Sequence, residues 1–271
     1  FVKRILQYGG IESYIKHFFP DDIDEAREIV HKTLIKIRSK HDFPFWAYMF
    51  VRIKPKSGGD DIPFKLNRPQ RRLVAIMEEK RLARKPIRII LLKARQWGGS
   101  TVIQMYFAWM QLVHKRNWNS VIASHANSVS ATVRGMYSKM LEYYPQWMLY
   151  PLGEEYDINA PKITSFEGQQ TIQFIPSRKC KIRIATANAQ ENLRSEDASM
   201  VHATEVALWP DTTLLHPEDF VDAVMSSVDP LPDTIKVIES TAKGSGNYFH
   251  REFEDAMKGI GEINASYVLS I

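Results

Sequence analysis

The sequence predicts an α/β fold with a central, mostly parallel sheet flanked by helices. Residues 87–92 are an aliphatic run typical of a buried strand, and an apolar helix over 102–110 follows a polar, glycine-containing turn. A second strand at 120–124 precedes a helix that Ser128 is expected to cap and that ends before Pro145. Because consecutive strand–helix units join parallel strands through right-handed crossovers, these two units indicate one parallel sheet.

The composition is that of a globular protein. Of the 271 residues, 44% are hydrophobic and 25% are charged, which excludes a disordered or fibrous chain. The single cysteine, Cys180, excludes an intramolecular disulfide and indicates a reducing compartment. No apolar run is long enough to cross a bilayer. The net charge of +5 is compatible with a polyanionic partner without identifying one.

Residues 1–60 are predicted to form a small N-terminal helical or lid subdomain with a hinge, and residues 61–271 the core domain. Apolar residues recur at helical spacing along 23–37. The aromatic run at 43–50 indicates a packing surface, and the glycine-rich segment 54–61 indicates a flexible hinge.

Further strands are predicted in the second half of the chain, before a helix that begins at Tyr248. They are 162–166 and 171–175, which form a hairpin, then 181–185, 199–205 and 234–242. In open parallel sheets, ligands bind outside the carboxyl ends of the strands. Polar residues at those ends are therefore the candidates for a site.

The turn after the first strand has the context of a phosphate-binding loop, since a helix N-terminus aims unpaired backbone N–H groups at an anion. The usual pattern is G-x-x-x-x-G-K-[ST]. Ser100 takes the Ser/Thr place and Gly98 the second glycine, but Gly99 replaces the lysine and Lys93 replaces the first glycine. Two interpretations remain open: a phosphate-binding loop whose cation has moved to its mouth, and an ordinary turn with a basic lip.

Gln70 lies on a predicted helix just upstream of that strand and loop. Its amide offers one donor and one acceptor, which matches the edge of adenine. The alternative is an ordinary solvated helix residue.

Two later strands also end in polar residues. The strand at 199–205 ends in Thr204 and Glu205. In P-loop enzymes an aspartate at the first place holds Mg²⁺ through water, and a glutamate at the second polarises the attacking water. The alternative is a strand that simply ends in a surface acid. The strand at 234–242 ends in small hydroxyl residues.

Taken in order, these motifs resemble the ATPase domain of the large terminase subunit, the DNA-packaging motor of tailed bacteriophages. Gln70 stands at the place of the family's adenine-contacting glutamine, and residues 95–100 resemble its loop R-Q-x-G-K-[ST]. Residues 193–195 with 201–205 resemble its second nucleotide motif. Residues 240–244 resemble the motif that couples hydrolysis to movement.

The resemblance implies a P-loop NTPase fold that uses ATP and Mg²⁺. The residues expected to bind the nucleotide are Gln70, Gln96, Trp97, Gly98, Gly99, Ser100 and Thr101. Those expected in catalysis are Glu205, which orients the water, Lys93 and Arg95, which meet the phosphate charge, and Arg134, which acts in trans on a neighbouring subunit's nucleotide. The metal is expected at Ser100 and, through water, at Thr204, and coupling at Ser240, Thr241 and Ala242.

The function implied is a motor domain that hydrolyses ATP to move double-stranded viral DNA into a procapsid. The partners implied are that DNA, the portal protein, the small terminase subunit and further copies of the chain in a homo-oligomeric ring on the procapsid, with no membrane. The expected place is the host cytoplasm, outside the mature virion. No nuclease activity is assigned, because the family's clustered nuclease aspartates do not appear in these residues.

Two alternatives stay open. One is a helicase-like nucleic-acid translocase. The other is a non-catalytic DNA-binding or assembly module with a degenerate nucleotide site, which Gly99 and Thr204 favour.

Overall fold

The computed structural model describes residues 1–55, 57–150, 159, 163, 171–186, 197–213, 216–260 and 268–270. Its helices are α1 (Val2–Gln7), α2 (Ile11–Phe18), α3 (Ile23–His41), α4 (Phe43–Phe50), α5 (Arg68–Leu82), α6 (Gly99–Trp109), α7 (Asn127–Glu142), α8 (Pro217–Met225) and α9 (Tyr248–Lys258). Its strands are β1 (Arg52–Ile53), β2 (Ile62–Pro63), β3 (Ile87–Leu92), β4 (Ser120–Ser124), β5 (Ile172–Ile175), β6 (Cys180–Thr186), β7 (Met200–Thr204), β8 (Ile235–Ser240) and β9 (Val268–Ser270).

Seven strands form one sheet in the order β5-β6-β4-β7-β8-β3-β9. Every neighbouring pair is parallel except β5 and β6, which are antiparallel. The predicted α/β fold with a mostly parallel sheet is confirmed. Because β8 lies between β7 and β3, the carboxyl ends of these three strands lie side by side.

Burial on both faces of the sheet explains the apolar runs in the sequence. All residues of β4, β7 and β8 are buried, as are the first five residues of β3. Helix α6 is buried from Val102 to Trp109 and contacts α4, α5 and β7. This packing fixes the start of α6 beside the carboxyl ends of the central strands.

The N-terminal region packs in two places. Helices α1, α2 and α3 enclose a small apolar cluster of their own around Ile15. Helix α4 instead buries Phe43 and Trp46 in the main core, so the aromatic run is a packing surface as predicted. The segment predicted as a hinge joins β1 to β2, which pair as a short antiparallel hairpin. Asp61 at its end forms an ion pair with Lys139 of α7. The domain boundary at residue 60 stays a prediction.

One local prediction differs from the structure, and the predicted hairpin of 162–166 with 171–175 stays a prediction. The N-cap of α7 is Ala126 instead of Ser128, and the hydroxyl of Ser124 pairs with that of Ser130 at 2.8 Å inside the first turns. β5 pairs with β6. Its predicted partner, 162–166, lies outside the described residues apart from position 163. None of the described helices is both long and apolar enough to span a membrane.

Candidate active site

The loop between β3 and α6 needs glycine at position 98 for two reasons. Gly98 has a φ of 80°, in the left-handed region, where it precedes the first turn of α6. A Cβ at this position would also lie 2.6 Å from Nε2 of Gln70. The preceding Gln96 adopts a positive φ of 62° as well, so the loop turns sharply before the helix begins.

Gly99, which stands where the usual loop has lysine, packs against Trp97. A Cβ at position 99 would lie 2.6 Å from an indole carbon of Trp97. No real side chain tolerates so short a contact without movement of the ring. The indole of Trp97 thus occupies the space that a lysine side chain at position 99 would need.

We expect Gly99→Ala to lower the free energy of unfolding by about 1–3 kcal/mol, because the added methyl overlaps the indole of Trp97. Gly135→Ala is the matched control. Gly135 lies inside α7, and no atom lies within 4 Å of the place that an added methyl group would take. Alanine there should therefore stabilise the protein by about 0.5–1 kcal/mol. Urea denaturation measures both. If Gly99→Ala is as stable as the parent protein, the contact with Trp97 does not explain the absent lysine.

Gln70 holds this loop with both ends of its amide. Its Oε1 accepts a hydrogen bond from the backbone N–H of Asn67 at 2.9 Å, within a capping box at the start of α5. Its Nε2 donates to the carbonyl of Gly98 at 3.0 Å. Both ends of the amide are thus engaged in the structure described, and the predicted adenine contact stays a prediction. The capping pattern turns the amide towards the helix start and the loop.

Lys93, Glu205 and Glu239 form an ion cluster at the carboxyl ends of β3, β7 and β8. Nζ of Lys93 lies 2.6 Å from Oε1 of Glu205 and 3.1 Å from Oε2 of Glu239. The side chain of Lys93 is 6% exposed and that of Glu239 is fully buried. The cation predicted at the mouth of the loop is therefore held between two carboxylates.

Glu205 is fixed as an ionised carboxylate. Its φ of 55° is in the left-handed region, which is uncommon for a residue with a side chain. Oε2 accepts hydrogen bonds from the backbone N–H and the hydroxyl of Thr241, at 3.3 and 3.1 Å. Burial by itself would raise the pKa of Glu205, but the hydrogen bond and charge of Lys93 outweigh it and lower that pKa. The residue predicted to orient a water is thus in the form that can do so.

Glu239 is a site residue that the sequence reasoning missed. Its Oε1 accepts hydrogen bonds from the hydroxyl of Ser100, at 2.7 Å, and from that of Thr204. The register of β7 and β8 places Thr204 directly beside Glu239. The available signal was an acid near the end of an otherwise apolar strand, where burial of a charge needs an explanation.

His202 also approaches this carboxylate, with Nε2 3.4 Å from Oε1 of Glu239. Burial, and then the charge of Lys93, lower the pKa of His202 to about 3. His202 is therefore neutral near pH 7 and adds no positive charge to the cluster.

Two of the three predicted coupling residues contact the cluster. The hydroxyl of Ser240 accepts a hydrogen bond from the backbone N–H of Ala207 at 3.1 Å, and its carbonyl accepts one from the backbone N–H of Lys93 at 3.0 Å. Thr241 holds the Glu205 carboxylate, whereas Ala242 is exposed. Ser240 and Thr241 thus connect β8 to the segments that follow β3 and β7.

Arg95 and Arg134 stand apart from this cluster. Arg95 is exposed on the loop, and Arg134 is partly buried on α7. Among the described residues, neither has a hydrogen bond or an ion pair. Their predicted roles stay predictions, and the motif predicted at 193–195 lies outside the described residues.

A cavity of about 550 Å³ lies beside the loop. Its lining includes Gln96, Trp97, Gly98 and Thr101, together with Met136 of α7. Cavities of this size, with apolar walls and a few polar groups, are typical of small-molecule sites. It adjoins the start of α6, where backbone N–H groups have no partner within the helix.

The residues present fit a metal that is shared with a bound anion. Within the described ranges, no group of three or more His, Cys, Asp or Glu side chains is arranged to hold a metal alone. Ser100 and Glu239 do offer the hydroxyl and carboxylate oxygens that Mg²⁺ prefers, and Mg²⁺ commonly takes only one or two carboxylates beside substrate phosphates. Oε2 of Glu239 is buried, and the ammonium of Lys93 lies 3.1 Å from it.

Comparisons with known proteins locate the fold. No protein-family model matches the sequence, and no curated protein matches it. The HK97 bacteriophage large terminase is similar in structure, with a TM-score of 0.55 and 13% identity over 81% of this chain and 41% of that one. A large terminase from a thermophilic bacteriophage gives 0.49 and 13%, covering 77% and 45% of the two chains. A Thermus phage large terminase ATPase domain gives 0.39 and 17%, covering 64% and 67%.

The likeness to the HK97 protein shows a shared fold, and at this level the predicted resemblance is confirmed. The chain spans less than half the length of that terminase.

Proposed function

We propose that this chain is the ATP-hydrolysing domain of a DNA-packaging motor of the large-terminase type. The observation that supports it most is the junction of Ser100, in the first turn of α6, with the carboxylates at the neighbouring strand ends. A helix start that attracts phosphate, joined to a carboxylate that can orient water, is what nucleotide hydrolysis requires.

Each role falls to a residue whose surroundings suit it. The triphosphate would bind over the backbone N–H groups at the start of α6, and Lys93 would supply the charge that Gly99 lacks. Glu205 would orient the attacking water while Thr241 holds its second oxygen. Mg²⁺, held by Ser100 and a carboxylate, would neutralise charge on the phosphate oxygens.

A non-catalytic module with a degenerate site is the second candidate, because Gly99 and Thr204 depart from the usual motifs. The buried cluster weighs against it, because a carboxylate with a lowered pKa and a positive φ is a combination found more often at functional sites than elsewhere. Titration of a fluorescent ATP analogue, with Mg²⁺ and with EDTA, separates the two. Absence of binding in both conditions would remove the enzyme interpretation.

Lys93→Ala is expected to weaken ATP binding by about 10–100-fold, because a charge-assisted contact with phosphate is worth about 1.5–3 kcal/mol. Arg95→Ala is expected to have a smaller effect, since Arg95 is exposed and its charge is screened. The same titration measures both variants.

Lys93→Arg is the matched control, because it keeps a cation beside Glu205 and Glu239. Thermal denaturation of each variant checks the fold, since Lys93→Ala leaves two carboxylates without their counterion. Parental affinity in both Lys93→Ala and Arg95→Ala would mean that neither cation replaces the missing lysine.

The proposed partners are double-stranded DNA, the portal protein, the small terminase subunit and further copies of the chain in a ring. A polyanionic partner is supported by a second cavity, of about 530 Å³, whose described lining includes four basic residues and no acidic one: Lys36, Lys40, Arg116 and Arg178. Packaging of DNA into purified procapsids by the full motor would distinguish this function from that of a helicase-like translocase.

A further inference from the structure

Position 204, where the usual motif has a metal-binding aspartate, is a threonine, so the site has one acidic ligand fewer than usual. The loop hydroxyl of Ser100 and an acid on the adjoining strand normally flank the metal of a phosphate-transfer site. Thr204 carries no charge, and its hydroxyl donates its hydrogen bond to Glu239. The acid nearest to the expected metal position is therefore Glu239, which lies on β8, the strand next to β7.

The position of Glu239 follows from strand order and register. β8 lies between β7 and β3, and Glu239 is the direct cross-strand neighbour of Thr204. The glutamate side chain, one methylene longer than aspartate, reaches the hydroxyl of Ser100 at 2.7 Å. One carboxylate thus joins the two residues that the sequence assigned to the metal.

The charge of the cluster leaves room for a second cation. Two carboxylates, those of Glu205 and Glu239, share the single ammonium of Lys93. Among these described groups the carboxyl groups outnumber the ammonium groups two to one, and Glu239 is fully buried. The Oε2 of Glu239 faces the ammonium of Lys93 at 3.1 Å, and its Oε1 accepts from Ser100. A purely structural partner for Lys93 would not be needed, because Glu205 lies closer to that ammonium.

We propose that Glu239, with Ser100, is the protein ligand of the nucleotide-bound Mg²⁺ and replaces the aspartate that is absent at position 204. This inference rests on the proposed function. In the structure described, the ammonium of Lys93 is the cation beside Glu239. When Mg²⁺ neutralises the charge of Glu239, Lys93 becomes available to the phosphates. The departures at Gly99 and Thr204 then belong to one rearrangement, in which the lysine and the acid have each moved to a neighbouring segment.

The experiment compares binding of a fluorescent, non-hydrolysable ATP analogue with Mg²⁺ and with EDTA, and binding of Mn²⁺ to the same complex by electron paramagnetic resonance. Glu239→Gln keeps the shape of the side chain and removes its charge. We expect it to weaken Mn²⁺ binding by at least about 10–100-fold, the range seen when a metal site loses an outer-shell partner alone. Binding of the analogue in EDTA should stay near the parental value. Glu79→Gln, at an exposed position of α5, is the matched control and should keep the parental Mn²⁺ affinity.

The double variant Thr204→Asp/Glu239→Gln moves the acid to the usual position and should recover Mn²⁺ binding. Unchanged Mn²⁺ affinity in Glu239→Gln would overturn the inference. So would loss of analogue binding in EDTA, since Glu239 would then only support the loop through Ser100. If Glu239→Gln does not fold, the parent complex is loaded with Fe²⁺ in place of Mg²⁺ and treated with hydrogen peroxide and ascorbate. Peroxide oxidises Fe²⁺ and yields hydroxyl radical at the ion, which should cleave the backbone beside position 239, and absence of that cut would overturn the inference. A parent protein that binds no nucleotide at all would instead refute the proposed function.

Discussion

Glu205→Gln is expected to lower ATP turnover by about 10²–10⁴-fold, the usual contribution of a positioned general base. Affinity for ATP should change little, because a residue that acts on the water makes few contacts with the nucleotide in the ground state. The measurement is phosphate release by the assembled motor, together with nucleotide titration of the isolated chain.

The structure gives this prediction its physical basis. Glutamine preserves the shape of the side chain and its hydrogen bond from Thr241, but it cannot carry the negative charge that Lys93 stabilises. Glu79→Gln is the matched control, since Glu79 is exposed on α5. Turnover by Glu205→Gln above about a tenth of the parental rate would exclude Glu205 as the base, because that loss is smaller than positioned bases supply.

The fold was predictable because its signals are local. The aliphatic runs of β3 and β4 and the apolar helix α6 are buried in the structure as their patterns indicate. The predictions failed where a neighbour in space decides the outcome. A serine at the start of α7 favours a cap, but Ser130 faces Ser124, and the helix begins without any side-chain cap.

The site was predictable to the extent that strand ends meet. Lys93, Ser100, Thr204, Glu205 and Thr241 converge because they follow or precede elements of one parallel sheet. Glu239 escaped notice because its role depends on β8 lying beside β7, which no local pattern reveals. The part of Gln70 in capping α5 could have been predicted from the local sequence, since Asn67-x-x-Gln70 is a capping-box pattern.

The place of Arg134 on α7 is consistent with a role towards a neighbouring subunit. The adjoining residues Gly135 and Met136 line the cavity beside the loop, whereas Arg134 itself has no hydrogen bond or ion pair among the described residues. Arg178, by contrast, is buried and donates to the carbonyl of Gln111 at 3.1 Å, so its side chain cannot reach a neighbouring subunit without losing that bond.

Arg134→Ala is therefore expected to bind ATP normally as an isolated chain and to lose about 10³–10⁵-fold in turnover in the assembled motor, the contribution of an arginine supplied in trans. Arg72→Ala, at an exposed position of α5, is the control and should leave both properties unchanged.

Mixing Arg134→Ala with Glu205→Gln subunits provides the sharper measurement. In a ring assembled at random from equal amounts, about a quarter of the interfaces pair an intact Glu205 with an intact Arg134 from the neighbour. Because both groups are then present at one nucleotide, the mixture should regain hydrolysis that neither variant shows alone. If the variants co-assemble and hydrolysis stays at the level of the single variants, Arg134 does not act across the interface.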